Sequence, residues 1–197
     1  MSLANLITLA RLPLLLLLVV LLYVPAWQVR LAALGLLILL YLMDWFDGYV
    51  ARMRNEVTEL GAVLDVALDR AVENILWITF MSLGLVSLWV PIVFLARSFI
   101  VDGIRGVAIT RGQSVFGMMH SPLGRFLVAS RFMRAFYGFV KALVFCQLTL
   151  THALGLNSPG VWLYNQILIC LAVTLCLLRG IPVLMDGRLY FKGPGGV

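Results

Sequence analysis

Charge is what this sequence lacks most. Only 12% of its 197 residues are Asp, Glu, Lys or Arg, against about a quarter in an ordinary soluble domain. Hydrophobic residues make up 62% and the mean hydropathy is +1.03. A core of this size cannot bury that much apolar surface, so lipid must cover part of it. Cysteine is scarce too: Cys146, Cys170 and Cys176 all lie in apolar runs, none at C-x2-C spacing. An odd number of such thiols argues against a disulfide framework and favours small hydrophobes within helices. Histidine occurs only twice. His152 is expected to be solvated in an outer turn, and His120 falls in the loop GMMHSPLGR. No internal repeat and no low-complexity linker interrupts the chain, so one membrane domain over residues 1–197 is expected. The opening MSLANLITLAR has no early basic region and no small-residue cleavage site, so no removable signal peptide is expected. The net charge of +6 suits anionic lipid headgroups and the positive-inside bias; no nucleic-acid partner is expected.

What is present is apolar runs long enough to span a bilayer, for which about 20 residues are needed. A first helix is expected over residues 12–27, with a short interfacial helix over 2–11 before it. The second begins near Leu31 but is purely apolar only to Met43, so it must take in Asp44 and Asp47 to reach full length. Residues 55–58 read as a turn. A third helix begins near Leu60 and carries Asp65 and Asp69 in its first turns. Residues 75–96 hold no charge, so they form either one span or a hairpin turning around residues 84–91. The fifth helix is expected over 125–150 and the sixth over 161–178. The hairpin leaves the connections at 82–91 and 151–160 uncharged and puts nearly all the basic residues on the other side. The fold is therefore expected to be all-α, with six transmembrane helices and both termini cytoplasmic.

Four aspartates in residues 44–69 (DWFDGYVARMRNEVTELGAVLDVALD) stand out against this background. Asp44 and Asp47 are three apart and Asp65 and Asp69 four apart, so each pair shares one helix face. Carboxylates at membrane depth are costly and mark a place where an ion or charged substrate compensates them. Oxygen ligands without His or Cys suit Mg²⁺ or Mn²⁺ rather than zinc. Four carboxylates on two facing helices suit two such ions, which would clamp a diphosphate. Gly48 and Gly61 allow close approach of a base or ribose, and Arg52 is placed to pair with phosphate oxygens. The plainer alternative is that the aspartates only pair with Arg52, Arg54 and Arg70 at the membrane surface. A cation transporter and a non-enzymatic membrane scaffold are the rival functions; the first would need carboxylates near mid-membrane.

Written as a pattern, the stretch is D-x2-D-G-x2-A-R-x8-G-x3-D-x3-D, filled by Asp44, Asp47, Gly48, Ala51, Arg52, Gly61, Asp65 and Asp69. It resembles the signature of the CDP-alcohol phosphotransferase family of integral-membrane phospholipid synthases. Asn5, Thr8 and Arg11 resemble that family's N-x2-T-x2-R entry, and the six-helix layout is also similar. The resemblance implies transfer of the phosphatidyl group of CDP-diacylglycerol to an alcohol, releasing CMP. It implies Asp44, Asp47, Asp65 and Asp69 at the metals, with Asp69 also the base for the attacking hydroxyl. Asn5, Thr8, Gly48, Ala51, Arg52 and Gly61 would line the cytidine diphosphate pocket. A homodimer is expected on the same ground.

Arginines bear on the acceptor. Arg97 and Arg105 resemble the R-x8-R stretch of phosphatidylglycerophosphate synthases, and with Arg125 and Arg131 they would hold an acceptor phosphate. Snorkelling to headgroups is the alternative for any one of them. Two departures bear on this. Asp65-Val66 and Asp69-Arg70 stand where that group has D-P and D-K, and the Asp69-Arg70 pair with Glu73 resembles inositol-phosphate members. The fifth helix also lacks a G-K-x-K-T run, with Gly124-Arg125 in place of its start. A phosphorylated acceptor is expected, glycerol 3-phosphate ahead of inositol phosphate.

Overall fold

A computed structural model describes residues 3–53, 59–110 and 124–191; side chains are described for most of them. Six α-helices account for nearly all of these residues: α1 Leu3–Tyr23, α2 Trp27–Met53, α3 Glu59–Ser82, α4 Trp89–Thr110, α5 Arg131–Leu154 and α6 Pro159–Phe191. One π-helical turn, Arg125–Ala129, precedes α5. No strand occurs among the described residues. By length and composition, three stretches can cross a membrane: Trp27–Asp44, Arg131–Leu154 and Pro159–Met185. A shorter apolar helix covers Leu9–Tyr23. The protein is thus all-α and built for lipid.

Helix ends follow local chemistry. α3 stops where Gly84 takes φ +73. There the Leu85 amide donates to the Phe80 carbonyl and the Gly84 amide to the Met81 carbonyl, each at 3.0 Å. This paired C-terminal cap needs a left-handed residue, which glycine supplies without strain. The uncharged run is therefore two helices joined through residues 83–88, not one continuous helix. α5 ends in the same way at Gly155, φ +60, with the Leu156 amide on the Thr151 carbonyl. Ser158 then caps α6 through its Oγ on the Val161 amide, and Pro159 takes the first helical position, where its missing N–H costs nothing.

Three boundaries differ from expectation, the first being the fifth helix, which begins at Arg131 after the π-turn rather than at Arg125. The segment before Arg11 is continuous with the first span, because Pro13 is accommodated inside α1. α6 likewise runs past Leu178 through Pro182. Within a membrane helix, neighbouring groups satisfy the carbonyl a proline leaves free, so a proline in the sequence does not by itself mark an end. The expected turn at 55–58 and His120 lie outside the described residues. His152 belongs to the last turn of α5, half-buried, with Nε2 at 3.0 Å from the Leu22 carbonyl. It is a structural contact rather than a solvated turn residue.

The chain divides into two compact units, Met1–Pro91 with Phe145–Asn165, and Ile92–Val144 with Gln166–Val197. In the first, α1 packs on α2 and on α3. Leu15, Leu18 and Leu22 recur at helical spacing and are fully buried, as are Leu37, Leu76, Trp77 and Phe80. Trp77 meets Phe145 edge-on at 4.7 Å, and Phe80 stacks on the same ring at 5.8 Å. Each such pair contributes about 0.5–1.5 kcal/mol beyond its buried area. Leu16, Leu17 and Val20, on the other face of α1, are exposed; apolar residues all round a helix are what lipid contact requires. Exposed Tyr23, Trp27, Trp89 and Trp162 sit at helix ends in this unit, as aromatic residues do at a bilayer interface. In the second unit, Val101, Ile104, Val128 and Val183 form a small core with Leu127.

Candidate active site

Levels along the helices bring the first acidic group together. Asp44 lies ~26 Å along α2 from Trp27, and Asp65 the same ~26 Å along α3 from Ser82. The two helices run in opposite directions, so both carboxylates reach one level. Arg11 reaches that level from α1, where it is only 2% exposed. Its Nη1 is 2.6 Å from Asp44 Oδ1 and 3.6 Å from Asp65 Oδ1. The carboxylates themselves stay open, with side chains 40% and 52% exposed. A buried permanent cation therefore backs two carboxylates whose other lone pairs face outward.

Asp69 follows one turn later in α3, half-buried, and Gly61 lies one turn before Asp65. Arg70 pairs with Glu73 at 3.2 Å, and Glu73 is 3% exposed. So the arginine found on Asp44 and Asp65 is Arg11, a residue whose role the sequence pattern left open, and Arg70 turns to a glutamate. Asp47, Gly48, Ala51 and Arg52 are on α2, and Asn5 and Thr8 on α1; their side chains, with that of Arg54, lie outside the described set.

All four arginines expected at the acceptor belong to the second unit, and the structure separates them. Arg97 is buried, 8% exposed, and its Nε and Nη1 carry no hydrogen bond among the described residues. Arg105 pairs with Asp102 at 3.6 Å across one turn of α4. Arg125 and Arg131 are exposed, in the π-turn and at the start of α5. Two further cations join Arg97 in this unit as buried groups. Lys141 and Arg179 lie 4.7 and 5.2 Å from the centre of the Tyr137 ring, both nearly buried. Arg179 also donates to the Leu127 carbonyl at 2.9 Å. Each stands inside an otherwise apolar run, and that is the signal that marks an intramembrane cation. Gly180 makes room for Arg97: a Cβ there would sit 3.3 Å from its Cγ.

An all-helical chain with apolar spans and a carboxylate pair on a buried arginine has the build of an integral membrane protein with a polar site. The profile of the CDP-alcohol phosphatidyltransferase family matches residues 1–178, and the chain belongs to that family. Its members transfer phosphatidyl groups and generally depend on a divalent metal. Among relatives, the chain is similar to the CDP-diacylglycerol--glycerol-3-phosphate 3-phosphatidyltransferase of Bacillus subtilis, 32% identical over 130 residues, 60% of this chain and 67% of that protein. The protein of the same description from Rickettsia bellii is 31% identical over 104 residues, 53% of this chain and 58% of its own length. A putative cardiolipin synthase of Mycobacterium tuberculosis is 37% identical over 71 residues, 36% of this chain and 34% of its own. The chain thus spans little more than half of the Rickettsia relative.

Proposed function

We propose that the protein transfers the phosphatidyl group of CDP-diacylglycerol to glycerol 3-phosphate and releases CMP. The observation that carries the reading is the meeting of Asp44 and Asp65, from the two halves of the D-x2-D-G…D-x3-D pattern, at one level of the first unit. The descriptions of the Bacillus and Rickettsia relatives support the acceptor. Among the described side chains no three acidic groups close on one point, the Asp47 side chain being outside them. Asp44 and Asp65 nonetheless direct oxygens at one cationic nitrogen and keep exposed faces, and this oxygen-only donor set fits a hard divalent cation.

In this reading Asp44, Asp47, Asp65 and Asp69 hold two Mg²⁺ or Mn²⁺ ions, which when bound neutralise the diphosphate of the donor. Asn5, Thr8, Gly48, Ala51, Arg52 and Gly61 receive the cytidine diphosphate. The acceptor hydroxyl attacks the phosphorus bearing the diacylglycerol, and Asp69 takes its proton. The bond from that phosphorus to the bridging oxygen breaks, and CMP leaves with the electron pair. On the acceptor side Arg97 is the principal phosphate ligand, since its donors are buried and without a described partner. Lys141 and Arg179 reinforce the positive field, and Arg105, Arg125 and Arg131 contribute at longer range. The positive-inside bias of residues 52–54, 97–134 and 179–192 supports a cytoplasmic site and cytoplasmic termini. A homodimer is the assembly this reading adopts, with light scattering in detergent as its check.

The test is CMP release and lipid product from purified protein given CDP-diacylglycerol, Mg²⁺ or Mn²⁺, and a panel of acceptors. Glycerol 3-phosphate should be turned over best. Faster turnover of inositol phosphate would replace the acceptor, and no CMP with any member of the panel would overturn the enzyme reading. Gly180 provides a finer check. Gly180→Val pushes branched methyls onto the Arg97 stem, and the KM for glycerol 3-phosphate should rise about tenfold, with the KM for CDP-diacylglycerol unchanged.

A further inference from the structure

We infer that Arg11 is the positioning residue of the metal site: its guanidinium fixes Asp44 and Asp65 from behind, so that their free oxygens are already aligned for a divalent cation. The inference rests on the reading of these aspartates as metal ligands and adds a component outside the acidic pattern. Four aspartates at one end of α2 and α3 repel one another. Left alone, α2 and α3 would relieve that repulsion by turning the carboxylates apart toward solvent. Arg11 opposes this. It is 2% exposed, and one of its nitrogens reaches Asp44 at 2.6 Å and Asp65 at 3.6 Å. α1 packs on both helices that carry these carboxylates, so the side chain ties three helices at one point.

Burial and exposure set the direction. The guanidinium lies on the closed side, while Asp44 and Asp65 stay 40% and 52% exposed on the other. A carboxylate has about four lone-pair sites, so an oxygen in ionic contact with arginine from behind retains capacity in front. The Arg11 charge holds both carboxylates through one nitrogen, and the rigid guanidinium plane, unlike a flexible ammonium, keeps that nitrogen in place. A guanidinium also repels an incoming cation. Because it sits behind the carboxylates, alignment outweighs that repulsion, as with other groups that orient metal ligands from outside the coordination sphere.

The experiment is Mn²⁺ titration of purified protein in nanodiscs without substrate, with free Mn²⁺ followed by its electron paramagnetic resonance signal. Arg11→Gln should weaken Mn²⁺ binding by about tenfold or more, and Arg11→Lys by less, since charge is kept and the fork is lost. The metal-free melting temperature, read alongside, separates loss of alignment from loss of fold. Should Arg11→Gln fail to fold, Arg11→Lys carries the same measurement. Mn²⁺ affinity that is unchanged or tighter in a folded Arg11 variant overturns the inference. Asp65→Asn is the control. If it loses Mn²⁺ while the Arg11 variants keep it, only the inference fails; if Asp65→Asn binds Mn²⁺ like the parent protein, the metal-site reading fails and the inference with it.

Discussion

Asp69→Asn should lower kcat for CMP release by about a thousandfold while leaving the KM for glycerol 3-phosphate within a few-fold of its parent value. General-base groups contribute typically 10²–10⁴ in rate, and an amide of the same shape cannot accept the hydroxyl proton. Asp69 is suited to the role by its place in α3. It lies one turn beyond Asp65 and is half-buried rather than open, so it can face both the ion site and an attacking hydroxyl. Steady-state kinetics with radiolabelled CDP-diacylglycerol measures the effect. Retention of more than a tenth of the parent kcat would remove Asp69 from the chemistry. Asp44→Asn should instead act through the metal, with a lowered apparent affinity for Mg²⁺ alongside the lost rate.

Arg97→Gln should raise the KM for glycerol 3-phosphate about a hundredfold and leave the KM for CDP-diacylglycerol unchanged. Breaking a buried charge-assisted contact costs roughly 2–5 kcal/mol, and about 2.7 kcal/mol is a hundredfold. The size of the effect follows from burial. Arg97 is 8% exposed with Nε and Nη1 free of described partners, so its charge is not already spent on a carboxylate among the described residues. Arg105 is paired with Asp102 and Arg125 and Arg131 are exposed; their neutral variants should change the same KM by only a few-fold, since solvent screens them. Equal losses at all four positions would contradict this ranking. An uncharged acceptor such as glycerol should show no dependence on Arg97.

Much of the architecture could be read directly. Continuous apolar runs demand lipid, and a second run too short without Asp44 and Asp47 had to include them; α2 does. At residues 75–96 the charge asymmetry preferred two helices over a single span, and α3 does end there, at the left-handed Gly84. Local signals did worse at helix ends. The first span was expected from Leu12 and the last to Leu178. Yet α1 begins at Leu3 and α6 runs to Phe191 with Pro13 and Pro182 inside them, because the backbone around a proline can be satisfied by neighbours the sequence does not name. His152 was placed in a turn for its polarity, whereas α5 extends to it and Leu22 receives it.

The acidic pattern and the phosphatidyl-transfer chemistry it implies were determined by the sequence alone. Spacing within one helix is enough to say which side chains share a face, and eight matched positions define the family signature. Which faces meet is a different matter, since it depends on packing between segments far apart in the chain. Only the tertiary structure brought Arg11 under Asp44 and Asp65, turned Arg70 aside to Glu73, and distinguished the buried Arg97 from the exposed Arg125 and Arg131. Lys141 and Arg179 belong to the same lesson. In sequence they are single charges in apolar helices, and folding places both against Tyr137. A buried cation acts through what surrounds it, and those surroundings are set by the packing of helices rather than by the order of residues along any one of them.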